Sequence, residues 1–146
     1  MRIRSLLLTF FSHETENFSR IEGAINSVFM DLVNSAEKNI NIVEGHYGNK
    51  IIVSEYRWKF KYAQQVFLKI LQKLSSTDIM YILTTLDERM EGNKLYLRLD
   101  KQLLIKSNIL AIKEGDDVIR LVSTIEGHRN EVERVMKEIV TNRALH

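Results

Sequence analysis

The carboxylates Asp100, Asp116 and Asp117 and the imidazole of His46 are the side chains best suited to covalent or metal chemistry in this chain. Aspartates brought together can hold a divalent cation that activates water against a phosphodiester, with a histidine nearby as ligand or base. The surrounding pattern does not support that use. His13, His128 and His146 show no ligand spacing, and Glu114-Gly115-Asp116-Asp117 has the composition of a solvated hairpin turn whose aspartates bond to nearby backbone. Gly115 belongs to no phosphate loop, because neither GxGxxG nor a Gly-Lys-Ser/Thr context is present. The chain has no cysteine, which removes disulfides, thiolate nucleophiles and cysteine zinc sites. The expectation is therefore no catalytic residue, no metal, no cofactor and no enzyme.

A second set of residues suits binding. Glu44-Gly45-His46-Tyr47-Gly48-Asn49-Lys50 reads as a tight turn between strands, with His46 and Tyr47 at its tip and Gly48 and Asn49 tolerating positive φ. His46 either fixes the turn by a hydrogen bond or contacts a phosphate or base. The turn feeds a strand, Ile51 to Lys61, in which Arg57, Lys59 and Lys61 share one parity and Trp58, Phe60 and Tyr62 the other. If extension persists that far, the rings enter the core and the cations are left to a ligand; a merely solvated face is the plainer alternative. Between Lys50 and Lys73 the cations Lys50, Arg57, Lys59, Lys61, Lys69 and Lys73 meet a single acid, Glu55. The whole chain carries a formal charge of only +2, so the placement of charge matters more than its total. Further on, Leu95-Tyr96-Leu97-Arg98-Leu99-Asp100 alternates strictly, exposing a ring and a guanidinium that suit bases and phosphates. The competing account of Arg98 and Arg120 is a salt bridge to an acid on a neighbouring strand.

These residues need elements to position them. Met1 to Phe11 reads as a strand, and Ser12 to Glu16 as a helix start with Thr15 as N-cap. Phe18, Ile21, Ile25, Val28, Phe29 and Leu32 recur at helical spacing. Ile40 to Val43 and Ile51 onward make a hairpin around the glycine turn. Tyr62 to Leu74 is the clearest helix, and Ser75 to Asp78 recaps a shorter one ending near Gly92. After the Leu95 strand, Lys101 to Lys106 is a turn or single helical turn. Asn108 to Lys113 and Val118 to Ile125 then read as a second hairpin, and a helix runs from about Arg129 to Val140. Two antiparallel connections favour a single α+β domain over residues 1–146, with an antiparallel-rich mixed sheet and helices mainly on one face.

At 146 residues and 45% hydrophobic content one domain with one core is expected. The apolar run Ser5 to Phe11 is too short to span a membrane and lacks a cleavage site, so a cytoplasmic protein without membrane association is expected.

Three segments together resemble an archaeal family of predicted RNA-binding proteins, sometimes described as predicted exosome subunits: Glu44 to Asn49 with Ile51, Leu95 to Gln102, and Gly115 to Arg120. The resemblance spans nearly the whole chain, with His13-Glu14-Thr15-Glu16 a shortened or shifted version of a further family element. It implies an α+β fold similar to the large-subunit ribosomal protein that binds 5S RNA, and it implies RNA binding. By position it carries over His46, Gly48, Asn49, Arg98, Asp100, Lys101, Gln102, Asp116, Asp117 and Arg120. Together the two lines predict a non-catalytic RNA-binding protein, associated with RNA processing or degradation. Arg57, Lys59 and Lys61 would take phosphates, and the His46-Tyr47-Gly48-Asn49 turn with Arg98, Lys101 and Arg120 would read shape or bases. The alternatives are a protein-interaction module or homodimer anchored by Tyr47, Trp58 and Tyr96, and, last, a metal-dependent nuclease on His46, Asp100 and Asp116. The three family-like segments are expected on one rim.

Overall fold

The computed structural model describes residues 1–145; His146 lies outside the described residues. Six strands form one sheet: β1 (Arg2–His13), β2 (Glu37–Glu44), β3 (Lys50–Lys59), β4 (Met90–Glu91), β5 (Lys94–Asp100) and β6 (Val118–Glu126). Their order is β2-β3-β1-β6-β5-β4, and every pairing is antiparallel. The helices are α1 (Phe18–Phe29), α2 (Phe60–Lys73), α3 (Ser76–Thr84), α4 (Leu86–Arg89), α5 (Lys101–Ser107) and α6 (Arg129–Ala144), with a 3-10 segment at Met30–Ser35.

The register explains why only one sheet face is covered. Across the central strands Leu8 opposes Tyr56 and Leu121, Leu6 opposes Trp58 and Ser123, and Leu97 opposes Leu121. All of these are buried, together with Phe10, Leu95, Leu99 and Ile119. A register shift between Ile3 and Ser5 keeps Ile3 and Leu6 on the same face although they lie an odd three positions apart. Ile21, Ile25 and Phe29 of α1 and Val66, Phe67 and Ile70 of α2 close the core from that side. Trp58 is its largest member, fully buried, tilted against Phe29 and donating its indole N–H to the Leu32 carbonyl at 2.7 Å.

Four expectations are corrected. Strand β1 runs on to His13, and α1 is capped by Asn17, whose side chain accepts from the Arg20 N–H, not by Thr15. Strand β3 stops at Lys59; Phe60, at φ 51, opens α2 and stands 67% exposed instead of entering the core. Asn108 to Lys113 forms no hairpin with β6, because β6 is already paired on both sides with β1 and β5. That segment follows β5 instead, with the Asp100 N–H donating to the Ala111 carbonyl and the Lys113 N–H to the Arg98 carbonyl. Finally, Lys101–Ser107 is a true helix, capped by Asp100, which accepts from the Leu103 N–H at 3.0 Å.

Candidate nucleic-acid interface

The uncovered sheet face carries the opposite parity of each strand. Thr9 lies between Glu55 of β3 and Arg120 of β6, Arg120 opposes Arg98 of β5, and Val122 opposes Tyr96. Two arginines therefore stand side by side, an arrangement that costs stability unless counter-charge is near. Counter-charge lies at the outer limit of salt-bridge distance: Glu114, already paired with Arg89 at 2.8 Å, is 4.0 Å from Arg98, and the fully exposed Asp116 is 3.8 Å from Arg120. Each guanidinium side chain remains nearly half exposed. Arg120 also lies over the Phe11 ring, 5.6 Å from its centroid, and its buried Nε has no hydrogen-bond partner among the described residues.

Beside this pair Tyr81, Glu88, Arg89, Tyr96, Arg98 and Glu114 line a depression of about 390 Å³. Arg89, almost buried, stacks over Tyr81 at 5.1 Å and pairs with Glu114 at 2.8 Å. The result is a face that mixes aromatic rings with planar cations. Guanidiniums pair with phosphate in a fixed fork and stack on bases, so such a face suits single-stranded RNA.

Where β1 ends and α5 begins, a buried lysine ties the rim together. Lys101 is 1% exposed, and its ammonium donates to the Phe11 carbonyl at 2.9 Å and to Glu16 at 3.0 Å, and pairs with Asp117 at 2.5 Å. Gln102 donates to both Glu16 and Asp117 at 3.4 Å. Burial pushes the Asp117 carboxyl up, but the hydrogen bond and charge of Lys101, with Gln102 and His13, outweigh it and hold the carboxyl below its usual range. His13, Glu16 and Asp117 bring ligand-type atoms within 4.8 Å of one another. A divalent cation there would have to displace the Lys101 ammonium, which already balances the two carboxylates; the donor set fits the lysine.

The glycine turn joins the same rim through its base. Glu44 opposes Lys50, the Gly45 N–H donates to the Asn49 carbonyl at 2.6 Å, and Gly48 takes φ 77. A methyl at Gly45 would clash with the Asn49 side chain, so the pair Gly45 and Asn49 is sterically matched. The Lys50 N–H donates to Glu14 at 2.7 Å, linking the hairpin to the loop that supplies Glu16. Tyr47 is 92% exposed and packs edge-on against His46 at 5.0 Å.

The expected residues thus divide. His46, Tyr47, Gly48 and Asn49 form the protruding turn, while Arg98 and Arg120 share the open face and Lys101 sits beneath the rim. Lys101 is the correction here, since a saturated and buried ammonium cannot meet a phosphate. Arg57 and Lys59 are on the open face but toward the other end of β3, about 23 and about 30 Å from Lys50 at the rise of an extended strand. Lys61 lies past the strand, on α2. Trp58 is excluded as an interface anchor by its full burial. The nuclease set is not assembled: Asp100 is spent on capping α5, and Asp116 projects fully into solvent. Phe11, Glu16, Tyr81 and Arg89 were not foreseen as site residues, and only Glu16 carried a signal, in the element His13 to Glu16.

A family model described as RNA binding matches residues 5–125. The chain belongs to this family. An uncharacterized protein of Methanocaldococcus jannaschii is 31% identical over 96% of this chain and 97% of its own length. A Sulfolobus solfataricus protein of family DUF54 superposes with a TM-score of 0.85 at 41% identity, covering 95% of this chain and 98% of that one. An Archaeoglobus fulgidus DUF54 protein, at 24% identity over 94% and 99% of the two chains with a TM-score of 0.74, shares the fold. Among the described residues no helix is long and apolar enough to cross a membrane.

Proposed function

We propose that this protein binds single-stranded or looped RNA on its open sheet face without cleaving it. The observation that carries this reading is the juxtaposed pair Arg98 and Arg120, flanked by Tyr96 and Phe11 on a face that no helix among the described residues covers. Family membership supports it independently. Phosphates would bridge the two guanidiniums, relieving their mutual repulsion, while bases stack on Tyr96. The His46-Tyr47-Gly48-Asn49 turn would extend the surface at the rim. Lys101 acts as a positioning residue that fixes the ends of β1, α5 and β6. Filter binding of structured and single-stranded RNA at low and moderate salt tests the reading. Saturable, salt-sensitive binding is expected; affinity no tighter than that of an unrelated protein of similar charge would remove it.

A second reading rests on β2. All eight of its residues are exposed, with Ile40 at 50% and Ile42 at 67%, and its outer edge has no strand partner among the described residues. Unpaired edges of this kind join like strands, so pairing of two copies along β2 fits this edge. Light scattering separates the readings: a dimer abolished by Ile42→Lys with RNA binding intact makes the edge a self-association site.

A further inference from the structure

At the end of the open face remote from the rim, the start of β1 and the start of α2 enclose a groove of about 670 Å³, lined in part by Arg2, Arg4, Phe60, Lys61, Gln64 and Glu126. Gln64 fixes its floor by accepting from the Ile3 N–H at 2.8 Å. Three cations meet one acid, and that acid, Glu126, is engaged by Arg4 Nε at 2.9 Å. Phe60 is the unusual member. It holds φ 51, a conformation that glycine adopts freely and an aromatic residue resists, yet its ring is 67% exposed and contributes little to the core. Folding alone is better served at that junction by glycine; a strained, displayed ring is explained by a ligand. The open-face cations Arg57 and Lys59 lead directly to this place, since Lys59 opposes Ser5 and is followed by Phe60 and Lys61.

We infer that the groove binds one nucleotide of a single-stranded RNA, with Phe60 as the stacking platform for its base and Arg2, Arg4 and Lys61 as contacts for the flanking phosphates. The inference rests on the RNA reading above and extends the bound strand from the Arg98 and Arg120 pair along the sheet to this second contact.

Phe60→Trp tests it, because the native Trp58 is fully buried and the added indole is the exposed reporter. A labelled short oligoadenylate is titrated while its anisotropy and the protein's tryptophan emission are both followed. Saturation of the anisotropy with quenching at the same concentrations is the expected result. In parallel Phe60→Ala should weaken binding roughly 5- to 100-fold, the usual effect of removing one stacking ring. Phe60→Gly should bind as poorly and melt no lower than the native chain, since it relieves the backbone. Should Phe60→Ala fail to fold, Arg2→Gln with Arg4→Gln provides the same comparison. Saturating anisotropy without quenching, or full affinity in Phe60→Ala, overturns the groove and leaves the sheet-face reading intact. A Phe60→Gly chain that melts well below the native one shows a packing role and also overturns it. No anisotropy change with the native chain overturns both.

Discussion

Lys101 shows how one side chain can be essential to a surface it never touches. Its ammonium, 1% exposed, is held by one carbonyl of β1 and two carboxylates from the loops that precede α1 and β6. Replacing it with methionine keeps the apolar stem but leaves Glu16 and Asp117 facing each other without a cation. Because Asp117 is about half exposed, the loss falls below that of a fully buried pair: Lys101→Met should cost about 2 kcal/mol in a urea titration. The same contact sets a pH dependence. The Asp117 carboxyl is held below its ordinary value, so the folded protein binds fewer protons than the unfolded chain in mildly acid solution. Its contribution is therefore complete above the ordinary carboxylate range and is lost as pH falls through the lowered folded value. Melting temperature should drop over that window in the native chain and drop less in Asp117→Asn; parallel slopes would refute the assignment.

Among the elements, alternation was legible wherever a strand has one covered face. Leu95, Leu97 and Leu99 are buried and Tyr96 and Arg98 exposed, as their spacing indicates. The helical repeat of α2 was equally plain. What local sequence could not reveal was competition for partners. Asn108 to Lys113 has strand-like composition, but β6 prefers the long ladders with β1 and β5, a choice set by the whole sheet. Nor does composition reveal that the extended run ends at Lys59, for Phe60 takes a backbone conformation its residue type disfavours. The rim was foreseen as a cluster of family-like segments, whereas the role of Glu16 beneath it depends on contacts 85 residues apart along the chain. Trp58 links these elements, since its indole N–H satisfies the Leu32 carbonyl beyond α1. Trp58→Phe should destabilise by about 2–3 kcal/mol, combining a cavity with an orphaned carbonyl, and its unfolding is measurable by circular dichroism. At the glycine turn Gly48→Ala should cost about 1 kcal/mol for the positive φ alone.

For the molecule as a whole, the near balance of 21 cations against 19 acids does not describe any one face, because some of the acids are held in pairs within the helical layer. Arg129 pairs with Asp87 and Glu133, and Arg134 with Glu138, all away from the open sheet. On that sheet Arg98 and Arg120 meet Glu114 and Asp116 only at the limit of salt-bridge distance and stay nearly half exposed, so both guanidiniums remain open to a phosphate. A face of this kind should show its ligand through salt. Each phosphate neutralised by a cation releases condensed counterions, and for single strands the logarithm of affinity falls with that of salt by about 0.7 per contact. Arg98→Gln and Arg120→Gln should each weaken RNA binding and make that slope shallower by about 0.7. Lys137→Gln, on the outer side of α6, should leave both quantities unchanged. If the arginine variants lost affinity at an unchanged slope, they would be shaping the surface without meeting phosphate, and the backbone would have to be held elsewhere. The double variant then decides between a shared and a separate phosphate. One phosphate bridging both guanidiniums gives a loss well short of the sum of the single losses, whereas two independent contacts give additive losses.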